Sequence, residues 1–447
     1  MKPAEELPGK NGLPLIGEVI EIFRTQELYY WKCFQDYGSI FKTKAMGMKV
    51  AVLIGPDANQ LVLKEQVEKF SSRAGWAYLE PILGEGILLQ DGNEHQTIRK
   101  LMYPAFHGKA IAYYFDTIVS TTEYFFKDWV ERSPIILFDE FRRLTLIIAC
   151  RLFLGANTNE EIREISQWFS DFFAGQLTIL RLNSPLTKFG RALRARQKLE
   201  AFVDSAIQQR RHQGNLNECQ DVLGLLLTAT DEEGNHLSDS EIIEQTILLL
   251  FAGHETTAKL LSWLLFELAA HPQWVERLRE EQNLVMGEQP LAPSHLKQMT
   301  QMSYVLKEIE RLYPPVYVIP RGVIQDVEFA GYHIPAGWLL NICPMLTHRM
   351  SELYSVPDQF DPERFAPPRE EHKRHPFALI GFGGGPHKCI GYELAQMESK
   401  IVLSTLLRRF DWNITPEYST VAPVRQPSKI ERMLRAQVVR ASPKLIS

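Results

Sequence analysis

The 447-residue sequence lacks the cysteine patterns of a zinc site or a disulfide framework. Its five cysteines are an odd number without any C-x-x-C pair, and they stand at Cys33, Cys150, Cys219, Cys343 and Cys389. Unpaired and widely spaced thiols are typical of a reducing compartment. We therefore expect a cytoplasmic protein in which most of these thiols are buried and inert.

Long apolar runs and an excess of one charge are also lacking. No stretch approaches the ~20 apolar residues that a membrane-spanning helix requires, and the first residues lack the apolar core of a signal peptide. With 49 basic and 54 acidic residues the formal net charge is −5, and no basic run is long enough to bind a phosphate backbone. We expect a soluble chain with no transmembrane anchor and no nucleic-acid partner.

No linker, repeat or low-complexity tract divides the chain, so we expect a single domain over residues 1–447. The pattern predicts an irregular leader over about 1–20, a β-rich part at about 39–55 and 316–343 with further C-terminal strands, and helices elsewhere. Met46-Gly47-Met48 fits a hairpin turn. The clearest helix begins at a capping box of Ser238 and Glu241 and runs to Ala270, about 50 Å at 1.5 Å per residue. The fold class is mainly α with a smaller β portion.

A glycine-rich loop, Phe-Gly-Gly-Gly-Pro-His-Lys-Cys-Ile-Gly at 382–391, precedes a predicted last long helix. Glycines let a backbone approach a flat cofactor closely, and a cysteine near a helix N-terminus is favoured as a thiolate. The bland alternative is a turn with an incidental cysteine. The loop resembles the signature of the cytochromes P450, and the matching positions are Phe382, Gly385, His387, Cys389 and Gly391. The resemblance implies haem b, with Cys389 as the axial iron ligand.

The middle of the long helix reads Phe-Ala-Gly-His-Glu-Thr-Thr at 251–257. Gly253 and the pair Glu255-Thr256 are poor choices for a helix core, although a polar patch on an amphipathic helix would read similarly. The segment resembles the family's acid–alcohol motif. That resemblance implies that Glu255 delivers protons, that Thr256 supports cleavage of the O–O bond, and that the small Ala252 leaves room beside the haem for O2.

Charged residues elsewhere match further elements of the family. Glu308 and Arg311 are three apart on a helix and, taken alone, would be an exposed pair of little consequence. With Arg364 in Pro-Glu-Arg-Phe, they resemble the family's buried three-residue charge network. The resemblance also assigns cofactor contacts, for the propionates or the ring, to His95, Arg99, Arg321, His387, Phe382, Ala252 and Gly391.

The resemblance implies the P450 fold, a triangular prism in which the haem lies between the long helix and the Cys-loop helix. It also implies a monooxygenase that inserts one oxygen atom of O2 into a lipophilic substrate, by hydroxylation or epoxidation. The sequence has no G-x-G-x-x-G motif after a strand. Electrons would therefore come from NAD(P)H through a separate reductase with a ferredoxin or flavodoxin, and Lys100, Lys388 and Arg374 are candidates for its docking face. We expect a monomer.

An apolar pocket is expected from the segment before His95, the helical stretch from Trp168 to Leu177, the long helix and the residues after Pro315. Plain core packing is an even alternative for the aromatic residues. The candidates are Trp76, Tyr78, Leu79, Phe172, Phe173, Leu248, Ala252, Tyr317, Val318 and Ile319. Residues 249–256 and 331–338 resemble the retinoic-acid-hydroxylating branch, which has soluble cyanobacterial and vertebrate members. This favours a retinoid, another isoprenoid or a fatty acid as substrate.

Two other classes stay open at the level of sequence. One is a peroxide-dependent haem-thiolate peroxygenase or isomerase, although such proteins usually lack the acid–alcohol pair that Glu255 and Thr256 provide here. The other is a non-catalytic haem-binding protein, which would need neither Thr256 nor a substrate pocket. A carbon monoxide spectrum and the dependence of activity on NADPH would separate them.

Overall fold

A computed structural model describes residues 1–156, 158–176, 178, 181–214, 216, 219–416 and 434–441, and only the backbone of 415 and 416. Helices dominate this part of the chain, as the sequence predicts. They are α1 (Val19–Thr25), α2 (Glu27–Tyr37), α3 (Pro56–Gln60), α4 (Ser72–Trp76), α5 (Glu80–Leu83), α6 (Gly92–Met102), α7 (Lys109–Phe125), α8 (Leu137–Leu154), α9 (Asn159–Gln176), α10 (Lys188–Gln213), α11 (Val222–Thr228), α12 (Asp239–Ala270), α13 (Pro272–Met286), α14 (Pro293–Gln298), α15 (Thr300–Leu312), α16 (Pro344–Thr347) and α17 (Tyr392–Arg409).

The strands form three small sheets among the described residues. They are β1 (Lys2–Pro3), β2 (Ile40–Ala45), β3 (Met48–Leu53), β4 (Phe70–Ser71), β5 (Ile135–Ile136), β6 (Ile319–Val323), β7 (Val327–Phe329), β8 (Tyr332–Ile334), β9 (Leu339–Ile342), β10 (Phe410–Pro416) and β11 (Leu434–Arg440). The orders are β2-β3-β9-β6-β4, β1-β8-β7 and β10-β11-β5. The pairing of β3 with β9 is parallel, and the other pairs of the five-stranded sheet are antiparallel.

Helix α12 lies at the centre of the helical part and packs against α8, α10, α15 and α17. It begins where the sequence predicts, because Ser238 and Glu241 form the full capping box. Its apolar residues surround most of its circumference, as expected for a helix buried on all sides. The Thr145 hydroxyl of α8 donates to the carbonyl of His254 at 2.9 Å and so fixes α8 against the middle of α12.

The predicted hairpin is confirmed, with β2 and β3 joined at Met46 and Gly47. Both residues have positive φ, of 51° and 81°, as a two-residue turn of this kind requires. The predicted helix at 301–313 is α15, and the predicted strands at 316–324 and 338–343 are the shorter β6 and β9. Leu177 and residues 417–433 of the predicted C-terminal strands lie outside the described residues.

The leader contains a short strand that the sequence does not predict, although residues 7–18 form no helix or strand. Lys2 and Pro3 form β1, which pairs in parallel with β8. Ala4 and Leu7 are buried in the apolar cluster of the five-stranded sheet. The sequence could not predict this because β1 has only two residues and its partner lies far along the chain. In the part of the chain that is described, none of the helices is long and apolar enough to cross a membrane.

Candidate active site

The glycine-rich loop folds back on itself immediately before α17. The Cys389 amide donates to the Phe382 carbonyl at 2.9 Å, and the Lys388 amide donates to Gly385 at 3.1 Å. Gly385 has a φ of +60°, and a Cβ there would come within 1.7 Å of the Leu63 carbonyl oxygen. No other residue fits this position, so the loop's course past Leu63 depends on glycine.

Cys389 lies where this loop meets the first turn of α17. Of the five cysteines, all within the described residues, Cys389 is the one that is exposed. Burial by surrounding protein nevertheless raises the pKa of its thiol, while the Gly391 amide and the charges of Arg99 and Lys388 act to lower it. A side chain that is both accessible and enclosed faces an internal space rather than bulk water. The hydrogen bond from Gly391 is what a thiolate ligand requires.

The central helix also has an accessible face. Ala252 is exposed although it lies in the middle of α12, next to the buried Leu249 and Leu250. One turn further on, the Thr256 hydroxyl donates to the Ala252 carbonyl at 2.7 Å. The small residue and the hydroxyl therefore share one face of the helix, as the four-residue spacing predicts.

Glu255 does not bind Thr256 but forms an ion pair with Lys259, with Oε1 3.1 Å from Nζ. Burial would raise the pKa of Glu255, but the charges of Lys259, His254 and Arg142 outweigh it and lower the pKa. The carboxylate is therefore ionised near neutral pH. Next to it, His254 is fully buried, and burial lowers the pKa of its imidazole to about 4.

Four basic side chains predicted for the propionates lie in one region. The rings of His95 and His387 stack with centroids 3.9 Å apart at 28°. Burial and, to a smaller extent, the charges of nearby arginines lower the pKa of His95 to about 4 and that of His387 to about 3. Arg321 is also buried, and burial lowers its pKa to about 10. Among the described residues, neither Arg99 nor Arg321 forms a salt bridge.

This basic cluster (His95, Arg99, Arg321 and His387) is a test of whether haem fits. A buried cation without an ion-paired anion is costly, and the nearby Asp91 raises the pKa of Arg321 by its charge but forms no salt bridge with it among the described residues. Two arginines and two imidazoles match the two carboxylates of a haem. A bound dicarboxylate would raise the depressed pKa values of both histidines. The donor set and the accessible Cys389 therefore fit the cofactor.

The predicted charge network is present and fully buried. Arg311 binds Glu308 with two hydrogen bonds, of 2.7 and 2.8 Å, and Arg364 Nε lies 3.1 Å from the same carboxylate. The network has a fourth member that the sequence did not reveal, Glu371, at 2.7 Å from Arg364. Burial alone would raise the pKa of Glu371, but hydrogen bonds from Ser355 and the arginines Arg369 and Arg364 lower it to about 2.

Glu310 is a second residue that sequence reasoning missed. It lies between Glu308 and Arg311, yet its carboxyl faces the amides of Gly381 and Phe382 at the start of the Cys loop. Burial raises the pKa of Glu310 to about 7, opposed by those amides and by Lys307 and Lys388. A carboxyl at a variable position inside the motif of Glu308 and Arg311 gave no separate signal in the sequence.

The predicted pocket residues fall into two groups. Trp76, Leu79, Phe172, Phe173 and Leu248 belong to the large apolar cluster around α12. Phe173 stacks on Phe251 of α12 with centroids 5.1 Å apart, and it also contacts the edge of His254. Tyr78 is half-buried beside this cluster, and its hydroxyl donates to the Thr178 carbonyl at 2.7 Å.

The residues predicted after Pro315 lie in other clusters. Tyr317 and Val318 pack with α2 and β3, where Tyr317 contacts Tyr30 with ring centroids 6.1 Å apart. Ile319 begins β6 and packs within the five-stranded sheet. The first group shares one apolar cluster, these three residues belong to two others, and their common pocket stays a prediction.

Comparison with known proteins agrees with this geometry. The sequence profile of the family "Cytochrome P450" matches residues 7–436. Cytochrome P450 120 of Synechocystis sp. is 35% identical over 92% of this chain and 91% of its own. Taxane 10-beta-hydroxylase of Taxus cuspidata is 28% identical over 90% of this chain and 83% of its own. The solved structure "Retinoic acid bound cyanobacterial CYP120A1" superposes with a TM-score of 0.89 at 34% identity, covering 99% of this chain and 100% of that one. The chain belongs to the cytochrome P450 family and is a monooxygenase.

Proposed function

We propose that this enzyme hydroxylates a lipophilic acid of retinoid or other isoprenoid type, using haem b held by Cys389. The observation that carries the cofactor assignment is that an accessible cysteine, whose sulfur accepts a hydrogen bond from the Gly391 amide, accompanies two arginines without a salt bridge among the described residues and two stacked imidazoles. When bound, a haem-thiolate supplies reductive activation of O2 and insertion of one oxygen atom into a C–H bond.

The protein's own residues would bind and orient the cofactor. Cys389 ligates the iron, and the Gly391 amide stabilises its thiolate. Arg99 and Arg321 pair with the propionates, because arginines keep their charge where buried imidazoles do not. His95 and His387 donate hydrogen bonds to the same carboxylates, and they gain protons as the carboxylates raise their pKa values.

Thr256 and Glu255, in the middle of α12, would deliver protons to the active site. The Thr256 hydroxyl holds a proton that it can pass on, although in this structure it donates to the Ala252 carbonyl. Glu255 would replenish that proton from water only after its ion pair with Lys259 opens. This arrangement makes the opening of the pair between Glu255 and Lys259 part of each turnover.

The substrate class is supported by the aromatic and aliphatic side chains that gather beside α12. Phe172, Phe173 and Leu248 present apolar surface there, and CYP120A1, which superposes closely, is described as bound to retinoic acid. Electrons would come from NAD(P)H through a separate reductase and a ferredoxin or flavodoxin.

Two experiments test this function. The purified protein, reduced under carbon monoxide, should absorb at the wavelength that gives the family its name, and Cys389→Ser should abolish that band. Turnover of retinoic acid should then require O2, NADPH and ferredoxin with its reductase. Turnover by hydrogen peroxide alone at an equal rate would contradict a monooxygenase in favour of a peroxygenase.

A further inference from the structure

Several residues close in sequence to the contact between Tyr78 and Thr178 have buried hydrogen-bond donors without a partner among the described residues. The hydrogen bond from Tyr78 to the Thr178 carbonyl brings the segment after α4 against the end of α9. Two residues before each partner stand Trp76 and Gln176. The buried nitrogens Trp76 Nε1, Gln176 Nε2 and Arg181 Nε and Nη2 have no hydrogen-bond partner among the described residues. All four atoms are hydrogen-bond donors, so a ligand with acceptor oxygens would satisfy them.

Arg181 is held in place by aromatic rings rather than by acids. Its guanidinium carbon lies 3.5 Å from the ring centroid of Tyr78 and 5.3 Å from that of Phe189. Stacking fixes the plane of a guanidinium while its N–H groups point outward along the edge. Such an edge is suited to two parallel hydrogen bonds with a carboxylate.

The carboxylates of neighbouring elements are already engaged. Each is paired with a different arginine: Glu80 with Arg73, Asp171 with Arg191, and Glu244 with Arg196. Over the ranges that the structure describes, Arg181 forms no salt bridge. Leaving buried nitrogens of a cation without an acceptor is costly, and an anionic ligand would remove that cost.

The adjoining surface is apolar. Trp76 and Leu79 flank Tyr78 in sequence and pack in the same cluster as Phe172, Phe173 and Leu248. A ligand whose acid group meets Arg181 could therefore lay a hydrocarbon body along that cluster. We propose that Arg181, stacked on Tyr78, binds the carboxylate of a lipophilic acid substrate. This inference rests on the proposed function, since it names the substrate's anchoring group.

The test compares acids with their neutral methyl esters on the holoenzyme. The pairs are retinoic acid with methyl retinoate and palmitic acid with methyl palmitate. Binding is measured by the shift of the haem spectrum and, independently of the haem, by quenching of tryptophan fluorescence. We expect the wild type to bind at least one acid tenfold or more tightly than its ester, and Arg181→Met to lose that preference while binding the ester as before. Arg181→Lys keeps the positive charge but cannot form two parallel hydrogen bonds with a carboxylate. Its preference for the acid over the ester should lie between those of the wild type and Arg181→Met.

Arg191→Met is the matched control, because it removes the same charge from nearby α10 and should leave the preference for the acid intact. The proposal is overturned if Arg181→Met keeps the preference, or if it weakens acid and ester equally, which would mean a structural role. It is also overturned if the wild type shows no preference in either pair. In that case an intact carbon monoxide spectrum would still support the proposed monooxygenase function. Failure of the Arg181 proposal is therefore distinguishable from failure of the proposed function.

Discussion

Thr256 and Thr257 form the same hydrogen bond one residue apart on α12. Thr256 donates to Ala252 at 2.7 Å, and Thr257 donates to Gly253 at 3.0 Å. Thr257 is buried, whereas Thr256 is only half-buried and shares the face of the exposed Ala252. The backbone bond is therefore common to both, and the two residues differ in accessibility, which suits Thr256 alone to the proposed proton transfer.

This difference predicts that Thr256→Ala uncouples the reaction. Product formed per NADPH should fall about tenfold or more, in the range of a lost proton-transfer group, with hydrogen peroxide released instead. The free energy of unfolding should change little, since threonine bonds of this type add no stability to a helix. Thr257→Ala is the control and should stay coupled; equal uncoupling in both variants would refute the role of Thr256. Product and peroxide are quantified in parallel.

Glu398 of α17 is buried with Oε1 unpartnered among the described residues. Burial raises the pKa of Glu398 to about 8. Because the folded pKa lies above the unfolded one, the folded state binds the proton more tightly. The contribution of Glu398 to stability is therefore full below pH 4.5 and is lost as the pH rises toward 8.

Replacing Glu398 by glutamine removes that pH dependence. As the pH rises from 4.5 to 8, the unfolding free energy of Glu398→Gln should increase relative to that of the wild type. The increase should reach up to about 4 kcal/mol, because one pKa unit corresponds to 1.36 kcal/mol. Urea unfolding at several pH values measures it. Glu393→Gln, an exposed glutamate in the first turn of the same helix, should show no such trend. A pH-independent difference for Glu398→Gln would contradict the assignment.

At the scale of the element, helix α15 contacts two different segments of the chain through neighbouring residues. Glu308 and Arg311 bind the segment around Arg364, and Glu310 faces the Cys loop. The network therefore attaches the segment around Arg364 to the helix whose Glu310 faces the Cys loop. Breaking it should disturb both the stability of the chain and the retention of haem.

Arg364→Met leaves the carboxylates of Glu308 and Glu371 buried without one of their partners. Removal of one partner from a buried network costs roughly 3–5 kcal/mol, so we expect a loss of that order in unfolding free energy. Faster loss of haem to apomyoglobin should accompany it. Glu363→Gln is the adjacent control, because the pair of Glu363 with Arg277 is exposed and worth about 1 kcal/mol or less. Comparable losses in both variants would argue against the buried network.

The sequence predicted those elements whose determinants are local. The capping box of Ser238 and Glu241 placed the start of α12, and the motif around Cys389 placed the candidate ligand. Glu371, Glu310 and Arg181 were missed because their partners come from distant parts of the chain, and a lone charged residue gives no local signal of burial. For the same reason the sequence did not predict that Tyr317 and Val318 pack with α2 and β3, and their place in a substrate pocket stays a prediction.

At the scale of the whole molecule, the proposed electron supply by a separate redox protein predicts a docking face near Cys389. Lys388 is exposed, adjoins Cys389 and has its ammonium 4.6 Å from the ring centroid of Tyr392. A cation there would attract an acidic ferredoxin or flavodoxin and raise the association rate, most strongly at low salt.

Lys388→Glu should therefore slow reduction by ferredoxin severalfold at low ionic strength, and the difference should shrink as salt is added. Stopped-flow measurement of the reduction rate across a salt series tests this. Lys198→Glu, an exposed lysine on α10, is the control for net charge and should have little effect. An unchanged rate for Lys388→Glu would exclude Lys388 from the docking face.

The pairing of the leader with β8 sets an order of events during synthesis. Lys2 and Pro3 pair with Tyr332 and His333, which are made about 330 residues later. At ribosomal rates of about 5–20 residues per second, the first strand waits tens of seconds for its partner to leave the ribosome. The N-terminal segment that buries Ala4 and Leu7 thus completes its packing late, so a bulky N-terminal fusion should slow maturation more than a C-terminal one.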